Sequence, residues 1–135
     1  VSCIEDMHKI AIIKDDNLSI INKLSPGPTT FILPIRKNRN SVSRNFFHKT
    51  IGLRIPNHPL ALELLRFVKA PLVATSINIS GEKSASKILE IPYSIKSQIA
   101  FSIADDTLVS GIESMVVDLS GLTPRVLRFR KNKSP

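Results

Sequence analysis

A single cysteine, Cys3, excludes an internal disulfide and any cysteine-rich zinc site from these 135 residues. There is no tryptophan and only one tyrosine, Tyr93, and Phe46-Phe47 is the sole aromatic pair. Base-stacking platforms for single-stranded nucleic acid are therefore scarce. No apolar run approaches the ~20 residues needed to span a bilayer. Val1 to Asp6 lack the charged and apolar regions of a signal peptide, which predicts a soluble, cytoplasmic domain without membrane association. Phosphate loops of the Gly-x-x-x-x-Gly-Lys type are absent, as is any motif supporting a Ser/His/Asp triad. His8, His48 and His58 have no metal-ligand spacing, so no metal site is assigned. Asp15-Asp16 and Asp105-Asp106 read as caps or turn residues.

Acid is missing from two stretches, and that absence is informative. Arg36, Lys37, Arg39, Arg44, Lys49 and Arg54 form one basic block; Arg125, Arg128, Arg130, Lys131 and Lys133 form another. Outside them the chain carries 8 basic residues against 11 acidic ones, so the two blocks create the whole net charge of +8. A phosphate ligand or polyanion is the partner such blocks suit; a solvated loop and tail is the plain alternative. The apolar content of 42% is enough for a folded core and rules out disorder.

Along the chain, Ser2 and Glu5 have capping-box spacing and predict a helix from Cys3 to Ile12. Asp15 or Asp16 caps a second helix over Asn17–Leu24, which Pro26-Gly27-Pro28 breaks. Thr29–Ile35 and Lys49–Ile55 are predicted strands. Asn57 caps a helix with Pro59 in its first turn, running to Val68; apolar over most of its circumference, it is expected to be buried. Pro71–Ser76 is almost wholly apolar and predicts a central strand covered on both faces. Helical pieces near Ser86–Glu90 and Tyr93–Gln98 precede strands near Ile99–Ile103, Ser114–Leu119 and Arg125–Arg130. Strands and helices mixed in this way imply a mixed α/β sheet in one domain over residues 1–130, with a basic tail at 131–135.

Period two places the side chains. Thr50, Gly52 and Arg54 share one strand face, opposite Ile51, Leu53 and Ile55. That face offers a hydroxyl, a gap without a side chain that lets a ligand approach, and a guanidinium able to clamp a carboxylate or phosphate. The alternative is an edge strand whose Arg54 pairs with an acid. After Val73-Ala74-Thr75, the run changes to Ser76, Asn78 and Ser80-Gly81, short polar groups of the kind that collect where α/β sheets bind ligands, or that merely cap turns. Ser114 opens another apolar stretch. In the last strand Val126, Arg128 and Arg130 share a face with no acid nearby in sequence, which suits a triphosphate or a nucleic-acid backbone.

These segments carry a resemblance. Pro26-Gly27-Pro28-Thr29-Thr30 resembles the Pro-Gly-Pro-x-Thr segment of the YrdC-like family of threonylcarbamoyl-AMP synthases. Thr50-Ile51-Gly52-Leu53-Arg54-Ile55-Pro56-Asn57-His58-Pro59 is similar to its Thr-Val-Gly-Val-Arg-x-Pro-x-His-Pro. Thr75-Ser76-Ile77-Asn78-Ile79-Ser80-Gly81 matches its Ser-Ala-Asn-x-Ser-Gly stretch, and Ser114 to Asp118 followed by Pro124 to Arg128 matches its Ser-Thr-Val-Val-Asp and Pro-Arg-x-x-Arg end. Ile77, Met115 and Ser25 depart from the usual residues. The family's Thr-x-Thr-x-Tyr-Gly-Leu and Lys-x-Arg segments, which come earlier in its members, lie outside these residues.

The resemblance implies a YrdC-like twisted mixed sheet with flanking helices, N-terminally truncated. It implies a nucleotidyltransferase that condenses L-threonine, bicarbonate and ATP, with Mg²⁺, into threonylcarbamoyl-AMP and pyrophosphate. The product feeds the t6A transferase machinery that modifies position 37 of tRNA. Arg54, Ser76 and Ser114 would then bind threonine, and Thr50, Asn78, Ser86 and Arg128 would bind ATP; no residue is assigned a catalytic role, because positioning and electrostatics suffice. Without the Lys-x-Arg segment, turnover by these residues unaided is expected near background. A double-stranded RNA- or tRNA-binding module, or an inactive remnant of a split synthase, are the competing expectations.

Overall fold

The computed structural model describes residues 1–37, 48–79, 84–103 and 112–130. The chain forms two compact units, Val1–Leu72 with Glu113–Pro135, and Val73–Ile112. Arg39, Arg44, Phe46-Phe47, Ser80-Gly81, Asp105-Asp106 and the tail at 131–135 lie outside the described residues.

The first unit is built on helices α1 (Ile4–Ile10), α2 (Asp15–Leu24) and α3 (Pro59–Val68), and strands β1 (Thr29–Pro34), β2 (Thr50–Leu53), β3 (Met115–Asp118) and β4 (Arg125–Arg128). Strand order is β2-β1-β3-β4; β1 and β3 run parallel and the two outer pairs are antiparallel, a mixed α/β sheet as expected. In β1 the alternation of Phe31 and Leu33 with Thr30 and Ile32 separates a buried face from a partly open one. Phe31 and Leu33 are fully buried with Met7 and Ile10 of α1, Ile21 of α2, Leu53 and Val117. Burying Phe31 alone is worth about 2–3 kcal/mol of transfer free energy. Asn17 ties α2 to the end of β3 by donating from Nδ2 to the Leu119 carbonyl at 3.2 Å.

The Pro26-Gly27-Pro28 turn sets the registers on both sides of β1. Gly27 N–H donates to the Ile55 carbonyl at 2.9 Å, and Met115 N–H to the Pro28 carbonyl at 2.9 Å. A Cβ at Gly27 would stand 2.6 Å from the Leu24 carbonyl oxygen, so the close approach to α2 requires glycine.

Several expectations need correction. Ser2 does not cap α1: its Oγ bonds the Asp6 carboxylate, and the N-cap residue is Cys3. Lys14, not Asp15 or Asp16, is the N-cap of α2; both aspartates sit in the first turn, favourable for the helix dipole. His58 rather than Asn57 occupies the N-cap of α3. That helix is not buried as expected: among its residues only Leu65 is buried, and Phe67 is 84% exposed. Pro71–Ser76 forms no strand, and Val73 is 92% exposed. An apolar run becomes a central strand only with a partner on each edge, and none of the described strands pairs with it. Ile99–Ile103 likewise forms no strand and is exposed.

In the second unit the described residues contain a 3₁₀ turn at Ile88–Glu90 and helix α4 (Tyr93–Lys96), where helical pieces were expected. None of them is buried, and Leu89, Tyr93 and Phe101 are largely exposed.

Candidate substrate site

The open face of the four-stranded sheet carries the polar groups. Register pairs Thr50 with Pro34 and Gly52 with Ile32, and aligns Thr30 with Val116. Thr30, Thr50 and Gly52 therefore share the face opposite Phe31, Leu33 and Leu53. Ser114, two residues before Val116, joins them: its Oγ is 3.0 Å from Thr30 Oγ1. Arg128, across from Val116, donates from Nε to the Ser114 carbonyl at 2.9 Å and from Nη2 to Ser114 Oγ at 3.1 Å.

Arg54 lies one step past the last β1–β2 pair, Phe31 with Leu53, so the continued register sets it across from Thr30. Its carbonyl accepts from the Val1 backbone nitrogen at 3.0 Å, which anchors the main chain beneath the side chain. The residue is exposed, and among the described residues its guanidinium has no hydrogen-bond or ion-pair partner. The alternative in which Arg54 pairs with an acid is not what the structure shows. The guanidinium is a fork available to an anion.

Arg128 differs. Its Nη1 meets the Glu113 carboxylate at 2.9 Å, so the absence of acid around it in the last strand did not carry into space. A register shift at Val116/Val117 also breaks the simple alternation of Val126, Arg128 and Arg130. Arg125 pairs with Asp118 at 2.8 Å. Asp118 is buried and also accepts from the Ser120 amide at 2.9 Å and the Ser120 hydroxyl at 2.6 Å. Those Ser120 bonds, with Arg125, hold its carboxyl down at about 2. This clamp at the β3–β4 turn and the Thr30–Ser114 contact were both missed from the sequence. Thr30 stands in the quoted Pro-Gly-Pro-x-Thr segment, and alternation alone would have put it on the Thr50/Arg54 type of face.

The gap expected at Gly52 is partly taken up by the protein itself. A Cβ there would stand 3.2 Å from Thr30 Cγ2, so glycine gives that methyl its room. A shallow groove lined by Lys23, Pro26, Met115 and Arg130 contains none of the predicted site residues; it lies on the side that Thr29 and Met115 face.

The remaining candidates belong to the second unit. Ser76 is exposed. Asn78 donates from Nδ2 to the Ile79 carbonyl at 3.0 Å and accepts from Ser84 Oγ at 3.4 Å. Ser86 donates to the Glu90 carboxylate from both its amide, at 2.8 Å, and its hydroxyl, at 2.9 Å. Asn78 and Ser86 thus stabilise their own loop, the turn role weighed for such residues.

Comparison with known proteins adds to this geometry. The profile of the Sua5/YciO/YrdC family, described as telomere recombination, matches residues 1–129. The chain belongs to this family. Threonylcarbamoyl-AMP synthase of Bacillus subtilis is 31% identical over 110 residues, covering 82% of this chain and 32% of the relative. The enzyme of the same name from Psychromonas ingrahamii is 27% identical over 128 residues, covering 93% of this chain and 66% of the relative. Among solved structures, P. abyssi Sua5 in complex with L-threonine superposes with a TM-score of 0.82 at 27% identity, covering 96% of this chain and 38% of that one. The chain thus spans between about a third and two-thirds of these Sua5/YciO/YrdC relatives. Among the described residues no helix is long and apolar enough to cross a membrane.

Proposed function

We propose that this chain supplies part of a threonylcarbamoyl-AMP synthase site, in which L-threonine, bicarbonate and ATP give threonylcarbamoyl-AMP, pyrophosphate and the water lost on forming the carbamate, for t6A modification of tRNA. The observation that carries the reading is the exposed Arg54 guanidinium, without a hydrogen-bond or ion-pair partner among the described residues, beside a face of hydroxyls that ends at Arg128. Relatives named threonylcarbamoyl-AMP synthase, and one solved with L-threonine, support it.

In this proposal Arg54 holds the threonine carboxylate through two parallel hydrogen bonds. Ser114 contributes a hydroxyl to the amino acid. Thr50 and Arg128 contact ATP, with Arg128 exchanging Glu113 for phosphate oxygen. The threonine carbamate attacks the α-phosphorus and pyrophosphate leaves, so these residues position and neutralise rather than form a covalent intermediate. Among the described residues no three of His, Cys, Asp and Glu gather as a metal cage. In this proposal Mg²⁺ would enter on the triphosphate, carried by phosphate oxygens and water, where it would offset leaving-group charge.

Calorimetric titration with L-threonine and with ATP tests the reading. Binding of both, little changed by moderate salt, is expected. No binding of either, together with steeply salt-dependent binding to double-stranded RNA, would replace it by the RNA-binding alternative.

A further inference from the structure

We infer that Thr30 is a positioning residue of the amino-acid subsite, holding the Ser114 hydroxyl in one rotamer with its proton turned toward the ligand. The inference rests on the proposed role of Ser114 and goes beyond it, since Thr30 itself touches no substrate in that reading.

Thr30 sits on β1, the strand between the ones that present Arg54 and Ser114. It is half-buried, and its two γ-substituents have separate neighbours. Cγ2 lies against Gly52, where a Cβ would come within 3.2 Å, and Oγ1 is 3.0 Å from Ser114 Oγ. A β-branched side chain has few χ1 options, so seating the methyl on Gly52 aims the hydroxyl at Ser114.

The hydrogen-bond inventory admits the direction this inference takes. A serine hydroxyl has one proton and two lone pairs. Arg128 can only donate, and its Nη2 fills one lone pair of Ser114 Oγ at 3.1 Å. The 3.0 Å contact between Thr30 Oγ1 and Ser114 Oγ is open to either donor, and in the inferred arrangement the Thr30 proton fills the second lone pair of Ser114. What is left on Ser114 is its own proton. It is offered to an acceptor, the carboxylate or carbamate oxygen of a bound amino acid. Without the Thr30 hydroxyl, Ser114 can spend its proton elsewhere and populate other rotamers.

The test uses the chain as it is. Three-bond couplings report the Ser114 χ1 angle by NMR, and calorimetry reports L-threonine and ATP affinity. The free chain should show one Ser114 rotamer, averaged in Thr30→Val and recovered in Thr30→Ser. Thr30→Val should weaken L-threonine about 3- to 10-fold, the loss of one neutral hydrogen bond, and leave ATP within about twofold. On a Ser114→Ala background the same substitution should have no further effect on threonine. An averaged Ser114 rotamer in the unaltered chain overturns the inference without any variant having to fold. So does a Thr30→Val chain with unchanged rotamer and threonine affinity. If the unaltered chain binds no threonine, the proposed function fails instead, while the Ser114 couplings still decide whether Thr30 orients that hydroxyl.

Discussion

Every buried side chain among the described residues belongs to the first unit; the described part of the second has none. Yet Val73 to Ile79 is as apolar as β1. The difference is pairing. β1 has β2 on one edge, β3 on the other, and α1 and α2 over Phe31 and Leu33. The described residues of the second unit, within Val73–Ile112, have no ladder, and none of their apolar side chains is buried. Hydrophobic composition alone therefore does not make a core; it needs a neighbour that satisfies the backbone at the same time.

The sharpest way to break that contrast is to truncate one aromatic in each region. Phe31→Ala should cost about 3–5 kcal/mol, whereas Phe101→Ala should stay within about 0.5 kcal/mol. Urea unfolding of both variants measures this. A comparable loss for Phe101 would show that the second unit has a core the contrast denies.

The functional groups divide in the same way, with the Arg54 guanidinium without a hydrogen-bond or ion-pair partner among the described residues and Asn78 and Ser86 engaged in their own loop. Arg54→Ala should weaken L-threonine by about 30- to 150-fold, corresponding to ~2–3 kcal/mol for charge-assisted bonds, with ATP little affected. Arg54→Lys should recover little, because a point charge does not replace a fork. Calorimetry on both ligands checks this, and equal losses would make Arg54 structural.

Asp118 offers a pH test confined to the first unit. Its folded carboxyl is held at about 2 against an ordinary 3.8. A depressed carboxyl stabilises the fold above the ordinary value, and that contribution is lost as pH falls from about 4 toward 2. Asp118→Asn should therefore be less stable than the parent at pH 6, with the gap narrowing toward pH 2. Asp6, also near 2 through Lys9 and Ser2, titrates in both proteins and cancels in the difference. Circular dichroism during acid unfolding reads the gap; a constant difference would locate the effect in packing.

The smallest effect concerns Glu113. Its pair with Arg128 is exposed and worth at most about 1 kcal/mol. Removing it by Glu113→Gln leaves Arg128 its bonds to Ser114 and takes one negative charge from the proposed phosphate side. ATP affinity should rise by up to about fivefold. Weaker binding would mean that Glu113 orients Arg128 for the nucleotide.

Local signals were legible where local physics decides. Pro26-Gly27-Pro28 ended α2, Thr29–Pro34 alternated as a strand, and Pro59 opened α3. The caps were misread because Cys3 and His58 hold the N-cap positions without a side-chain cap bond, and the Ser2 hydroxyl bonds Asp6 instead. The burial of α3 and of Pro71–Ser76 was misread because an apolar pattern states what a segment can bury, not what meets it.

The sequence by itself determined the alternation within each strand, and so which side of β1 and β2 would be greasy and which would carry Thr50 and Arg54. It also determined the order of the motifs that mark the family. Only the tertiary structure decided who faces whom. Thr30 and Ser114 are 84 residues apart, and Arg128 meets Glu113 across a hairpin whose register shifts at Val116/Val117. Side-chain period is a property of one strand, whereas register is a property of two; the hydrogen bonds that fix it join segments that local periodicity cannot connect.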